Sequence, residues 1–225
     1  MTTPWRARAR HSWREWGKPL LLLILGVGSF RSAVADWNDV PSGSMRPSIL
    51  EGDRIFVNKL AYDLRLPFSH IVVATLGEPQ RGDIVILASP ENGQRLVKRV
   101  IGLPGDRIEM ERGQLLVNGA PGRYEAIPES LGTGEGLSLR EELCGRAYPI
   151  QWQPGGAGRR DFGALVVPPG HYFVLGDNRD LSRDSRWFGF VSRHAVYGRA
   201  VAVVASVDPT RSYLPRWERF FDPLP

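Results

Sequence analysis

The sequence predicts a mainly β fold: an antiparallel β-sheet body with a short insertion, preceded by one apolar helical segment at the amino end. Three observations predict it. Short runs rich in branched and aromatic residues, bounded by Gly, Pro, Asn and Asp, recur from Asp53 almost to the end of the chain. No long amphipathic helix and no internal repeat interrupts them. An unbroken apolar run of twelve residues, Pro19 to Phe30, stands ahead of them behind a basic tail.

The elements follow in chain order. Residues 1–18 hold Arg6, Arg8, Arg10, Arg14 and Lys18 against a single Glu15, which accounts for +4 of the net charge of +5 and leaves +1 on the rest. A nucleic-acid binder needs a basic face on its folded body, so nucleic acid is not expected as a partner. The apolar run Pro19–Phe30 spans about 18 Å as a helix and, carried on to Ala35, about 26 Å, against a hydrocarbon core of about 30 Å. That extension includes Arg31, which would have to snorkel. Two readings fit these letters: a retained membrane helix, or a cleavable secretory signal ending at Ala33-Val34-Ala35. Both keep the positive tail in the cytoplasm and carry the body across the membrane.

The β runs are RIFVNKLAY (54–62), DIVILAS (83–89), RLVKRVIG (95–102), RIEMERGQLLVNG (107–119), HYFVLGD (171–177) and RAVAVVASV (199–207). The turns ERGQ and PPGH read as hairpin connections. A stretch of weaker pattern, about 128–163, reads as a loop-bearing insertion. The closing RSYLPRWERFFDPLP mixes basic with aromatic side chains, as a packed tail or a membrane-surface contact would.

Composition narrows the chemistry. An apolar share of 42% in 225 residues is enough for a packed core. Cys144 is the single cysteine, so no internal disulfide can form, and its neighbourhood ELCGRA has no nucleophile pattern. His11, His70, His171 and His194 are scattered without zinc spacing, and DNRDLSRD lacks the glycine and third ligand of a calcium loop. No metal and no cofactor is expected.

What remains is a serine cluster and a lysine. In VPSGSMRPSILEGD, Ser42, Ser44 and Ser48 fall within seven residues, with Gly43 giving a close main-chain approach and Pro47 stiffening the turn. A serine hydroxyl is a poor nucleophile until a base takes its proton. In RLVKRVI, alternation puts Lys98 on one strand face with Leu96 and Val100. An ordinary lysine is neutral in about one molecule in 2,500 at pH 7, so base catalysis would require desolvation to lower its pKa by ~2–3 units. From the residues alone, a turn serine and a surface lysine lying along an apolar patch remain the bland alternatives.

The ordered set PSGSMRPS, RGDIVIL, RLVKRVIGLPGD and GDNRDLSRDSRWFGFV resembles the bacterial type I signal peptidases, membrane-anchored Ser/Lys proteases, from about Phe30 to Val207. The resemblance implies Ser44 as nucleophile and Lys98 as its neutral general base. It implies Ser42 as a side-chain donor to the oxyanion hole beside the Ser44 N–H, and Ser182 as the hydroxyl that bonds and aims the lysine. Asp177, Arg179, Asp184 and Arg186 would be scaffold ion pairs around the site. Val40 and Val97 would line shallow pockets for small residues, giving cleavage after Ala-x-Ala.

The same resemblance implies residues 19–37 as a retained transmembrane anchor, with 38–225 as an extracytoplasmic catalytic domain at the inner membrane. The thirteen steps from Arg31 to Ser44 then keep the nucleophile within about 45 Å of the anchor. Signal-peptide-bearing preproteins and the lipid bilayer are the expected partners of what would be a monomer. Leu181 departs from the family pattern, standing where asparagine is frequent. The alternatives are a specialised pilin- or conjugation-processing Ser/Lys peptidase and a tethered β-domain that binds exported chains without cutting them. A self-cleaving repressor is disfavoured, since nothing reads as a DNA-binding helix pair.

Overall fold

In the computed structural model, residues 13–69, 71–127, 136–153, 156 and 158–225 are described. The tail residues Arg6, Arg8, Arg10 and His11, His70, and part of the stretch read as an insertion lie outside them. A short π-helical turn, Trp13–Gly17, leads into α1, Lys18–Ala33, whose leucines and valine are exposed.

Helix α1 stops short of the segment 19–37 expected as one anchor, because Ala35–Asp39 is already strand β1. The reason is a cation at the helix carboxy end. Lys59 Nζ donates to the Arg31 carbonyl at 2.7 Å and to the Ser32 carbonyl at 3.2 Å, satisfying acceptors that the helix leaves orphaned. The Lys59 N–H takes the Val34 carbonyl at 3.0 Å and Ala35 pairs with Asn58, so the chain turns directly into the sheet. Among the described residues no helix is both long and apolar enough to cross a membrane.

The body is built from antiparallel strands. After β1 come β2 (Asp53–Asn58), the small hairpin β3 (Asp63–Arg65) and β4 (Val72–Thr75), then β5 (Ile84–Ala88) and β6 (Arg95–Gly102). Next are β7 (Arg107–Glu111), β8 (Gln114–Val117), β9 (Ala120–Pro121), β10 (Arg123–Ala126), β11 (Leu137–Leu143), β12 (Arg146–Trp152) and β13 (Phe162–Val166). The chain closes with β14 (His171–Leu175), the four-residue helix α2 (Ser185–Phe188), β15 (Val191–Ser192), the long β16 (Val196–Asp208), β17 (Leu214–Pro215) and β18 (Asp222–Pro223). The main sheet runs β1-β2-β16-β5-β6-β14-β15, with β17 and β18 added on β16.

Three apolar clusters fill the sheet's faces, and β6 contributes to all of them. Ile101 joins Ile108, Leu115 and Phe173; Val97 packs on Val40, Met45 and Ile55; Val100 and Leu96 meet Tyr172 and Val174. A strand buried on both sides leaves any charge it carries in need of a partner, which bears on Lys98 and Arg99.

Of the two turns expected as hairpin connections, one forms a hairpin and the other does not. ERGQ is a hairpin turn: β7 and β8 are joined by Arg112 and Gly113, both at positive φ as right-twisted two-residue hairpins require. PPGH is not, since β13 pairs with β7 while β14 pairs with β6 and β15, so this turn hands the chain from one sheet to another. Within the stretch about 128–163, read as a loop-bearing insertion, the described residues include two seven-residue strands. These are β11 and β12, paired over seven residues across a turn at Cys144-Gly145, and β12 buries Ile150 and Trp152 in the first cluster. Glu141 and Tyr148 inside this hairpin are likewise buried, so its charged letters concealed a packed face.

Candidate active site

The serine turn is set by main-chain bonds at both ends. The Val40 N–H donates to the Asp53 carbonyl at 2.9 Å and Gly52 N–H to the Val40 carbonyl at 3.0 Å. Between them Gly43–Met45 forms a single 3₁₀ turn, with the Met45 side chain sunk into the core. That anchor holds Ser44 on the open side, where its carbonyl accepts the Asn178 N–H at 3.1 Å.

Lys98 reaches this turn from β6. Its Nζ and Ser44 Oγ are hydrogen-bonded at 2.8 Å, and Nζ also donates to the Val97 carbonyl at 2.9 Å. The side chain is 2% exposed. Burial pushes its pKa down to about 8, against a partial pull upward by Asp184 and Asp177 and a further push down by Arg186. The two carboxylates cannot restore it because each is already held by an arginine.

Those pairs are fully buried. Asp177 takes both arms of Arg99, at 2.8 and 2.7 Å, and also the Ser48 hydroxyl, so the third serine of the cluster has a structural partner. Asp184 takes Arg186 Nε and Nη2 at 2.8 Å each, while its carboxylate also accepts the Gly176 N–H at 3.0 Å. Arg179 forks onto Glu141. Of the four charged residues expected as ion pairs, only Asp184 and Arg186 pair with one another. Arg99 and Glu141, the partners of the others, were not found from sequence. Simple alternation puts Arg99 on a face with Val97 and Ile101 without showing which carboxylate meets it, and Glu141 sits in the stretch read as a loop-bearing insertion.

Ser182 is buried in the loop after β14, but its Oγ makes no hydrogen bond. The expected Ser182–Lys98 bond is therefore not formed; the lysine spends its donors on Ser44 and Val97. Gly176, which sequence reasoning passed over, packs against Ser182 Oγ and the Ser44 carbonyl so closely that any side chain there would strike both. Its lack of Cβ lets the loop close over the serine turn.

A cavity of about 300 Å³ opens in front of Ser44. Val40, Ser42, Val97 and Lys98 line it, together with Leu181 and Arg183 on its lip. Ser42 is exposed in extended backbone just before the 3₁₀ turn. Leu181, the departure from the family pattern, points out with 57% exposure while its N–H donates to Asn178 Oδ1 at 3.3 Å, so the loop keeps an internal bond. Among the described residues no group of His, Cys, Asp and Glu could hold a metal ion.

The family model described as "Signal peptidase, peptidase S26" matches residues 13–205, most of the chain and every site residue just described. The chain belongs to the signal peptidase S26 family. Its similarity to the Signal peptidase I of Pseudomonas aeruginosa is 36% identity, over 91% of this chain and 77% of that protein. The Signal peptidase I P of Bacillus subtilis subsp. natto is 33% identical over 88% of this chain and 91% of its own length. The Signal peptidase I of Aquifex aeolicus is 33% identical over 83% and 82%. Membership in this family makes the protein a peptidase of the signal-peptide-removing class, and the stretch 128–163 lies inside the matched region.

Proposed function

We propose that the protein is a membrane-anchored signal peptidase I that cuts exported preproteins after small residues by a Ser44–Lys98 dyad. The observation that carries this reading is the 2.8 Å bond between Ser44 Oγ and an amine buried to 2% exposure. With a pKa near 8, about one lysine in ten is neutral at pH 7, against one in about 2,500 for a free amine.

The reaction is acyl transfer. Neutral Lys98 accepts the hydroxyl proton as Ser44 Oγ attacks the scissile carbonyl, then returns it to the departing amine. Water, deprotonated by the same amine, releases the acyl chain and regenerates the serine. The Ser44 N–H and the Ser42 hydroxyl are the oxyanion donors, a role worth about 2.7–4 kcal/mol per donor.

The substrate binds as an added strand. β6 pairs with β14 only from Arg99 onward, and β1 is a sheet edge, so Arg95–Lys98 and the segment after Asp39 face each other across the cavity with no strand between them. Val40 and Val97 then close the side-chain pockets to all but small residues.

α1 is the anchor in this reading. Its Leu20–Leu25, Val27 and Phe30 are exposed, a belt that water does not favour on a folded surface. At sixteen residues the helix rises about 24 Å, so Lys18 and Arg31 snorkel to the interfaces. The positive tail then lies in the cytoplasm and the body beyond the membrane. Cleavage of a preprotein by the purified full chain tests the reading. Ser44→Ala and Lys98→Met should each abolish it with the fold retained; near-normal turnover by Lys98→Met would remove the dyad.

A further inference from the structure

A second cavity, about 170 Å³, lies where α1 meets the body, and its lining includes Ser32, Lys59, Arg65, Phe68, Arg95 and Tyr197. Three cations and no carboxylate line it. Arg65 is nine-tenths buried; its Nη2 donates to Asp63 at 3.0 Å and to the Val196 carbonyl at 2.8 Å, while its Nε–H has no acceptor. Arg65 and Arg95 both lie over the Tyr197 ring, at 5.3 and 5.5 Å. The nearby carboxylates are shared: Asp63 also serves Arg193, and Asp36 serves both Arg31 and Lys59. The positive charge at this spot exceeds what the protein neutralises.

One wall of this cavity is apolar and continuous with α1. The Phe68 N–H donates to Ser32 Oγ at 2.7 Å and the Phe68 ring lies against Gly28, so the β3–β4 hairpin rests alongside the last turns of the helix. The hairpin presents Leu66, Phe68, Ile71 and Val73 to the outside at 49 to 67% exposure, and Phe30 of α1 is exposed as well. A cationic hollow bordered by an apolar face has the shape and polarity of a phospholipid, head and tails together.

We propose that this cavity binds the phosphate headgroup of an anionic phospholipid whose acyl chains lie along α1 and the β3–β4 hairpin. The inference rests on the reading of α1 as a bilayer anchor. Bound there, the lipid supplies an acceptor for the Arg65 Nε–H and an anion for Arg95, whose guanidinium otherwise donates, among the described residues, only to the neutral Asn38 Oδ1 at 3.3 Å, and it fixes the body's height on the membrane. The headgroup cavity shares Asn38, Ile86 and Arg95 with the substrate cavity, so the groove opens at lipid level.

The test uses the full chain in non-ionic detergent, titrated with dioleoyl phosphatidylglycerol or dioleoyl phosphatidylcholine and read by native mass spectrometry. One phosphatidylglycerol should bind at least tenfold tighter than phosphatidylcholine. Arg95→Gln, a change at an exposed side chain, should cut that preference at least fivefold, and Arg65→Gln should do the same if it folds. Phe68→Ser should weaken both lipids alike, and 10 mM inorganic phosphate should not displace the lipid. Equal binding of the two lipids, an unchanged preference in Arg95→Gln, or displacement by inorganic phosphate would each overturn the proposal. Alkaline carbonate extraction separates the two failures. Release from membranes sinks the anchor reading, whereas retention with no headgroup preference sinks only this one.

Discussion

Replacing Lys98 with methionine removes a group whose charge the fold works against, and the consequence is measurable in stability as well as activity. Burial lowers the pKa from 10.5 to about 8. The native state therefore holds this proton less tightly than the unfolded chain does. Between pH 8 and 10.5 the unfolded state binds more protons, so the wild-type protein gains stability as pH rises through that window. The gap corresponds to about 3 kcal/mol, present as a penalty below pH 8 and gone above 10.5. Lys98→Met has no such penalty. Urea unfolding of the two proteins at pH 7 and pH 11 should show the variant's advantage shrinking by about 3 kcal/mol between them, whatever else titrates in both. Preprotein cleavage by the wild type should fall about tenfold per pH unit below 8 and level off above it. Parallel unfolding free energies at the two pH values, or a cleavage rate still climbing through pH 10, would show that the amine is solvated and refute the reasoning.

Three further outcomes are expected. Arg99→Met strands Asp177 as a buried, unpaired carboxylate and should cost about 3–5 kcal/mol, read as a large drop in the urea midpoint. Ser182→Ala removes a buried hydroxyl that makes no hydrogen bond, so stability should hold or rise by about 1 kcal/mol; a loss above 2 kcal/mol in chemical unfolding would reveal a partner. Val40→Ala opens the wall beside Ser44, and peptide-library cleavage should then accept residues one or two methylenes larger next to the cut, while an unchanged profile would take Val40 out of the pocket.

Part of the site was legible in the sequence for identifiable reasons. Ser44 and Lys98 were named through the family resemblance, since from the residues alone a turn serine and a surface lysine along an apolar patch read equally well. The β runs were readable from branched residues and turn glycines. The limits are as specific. Arg99 was not singled out because alternation gives the face a strand residue shares, and not which distant carboxylate is packed against it. The β11–β12 hairpin hid behind its charges, since Glu141 looks like a surface residue until Arg179 is brought to it from 38 positions away. Ser182 was assigned to the lysine by resemblance, and its hydroxyl stays unbonded in the structure.

The sequence by itself determined the β architecture, the apolar amino-terminal helix and the residue types that could do the chemistry, because these depend on local propensity and on short spacings. Only the tertiary structure decided that Lys98 is dehydrated and in reach of Ser44, and which arginine neutralises which carboxylate. Those are sums over neighbours distant in the chain, where burial shifts a proton equilibrium by orders of magnitude and the packing of both sheet faces fixes which charges meet.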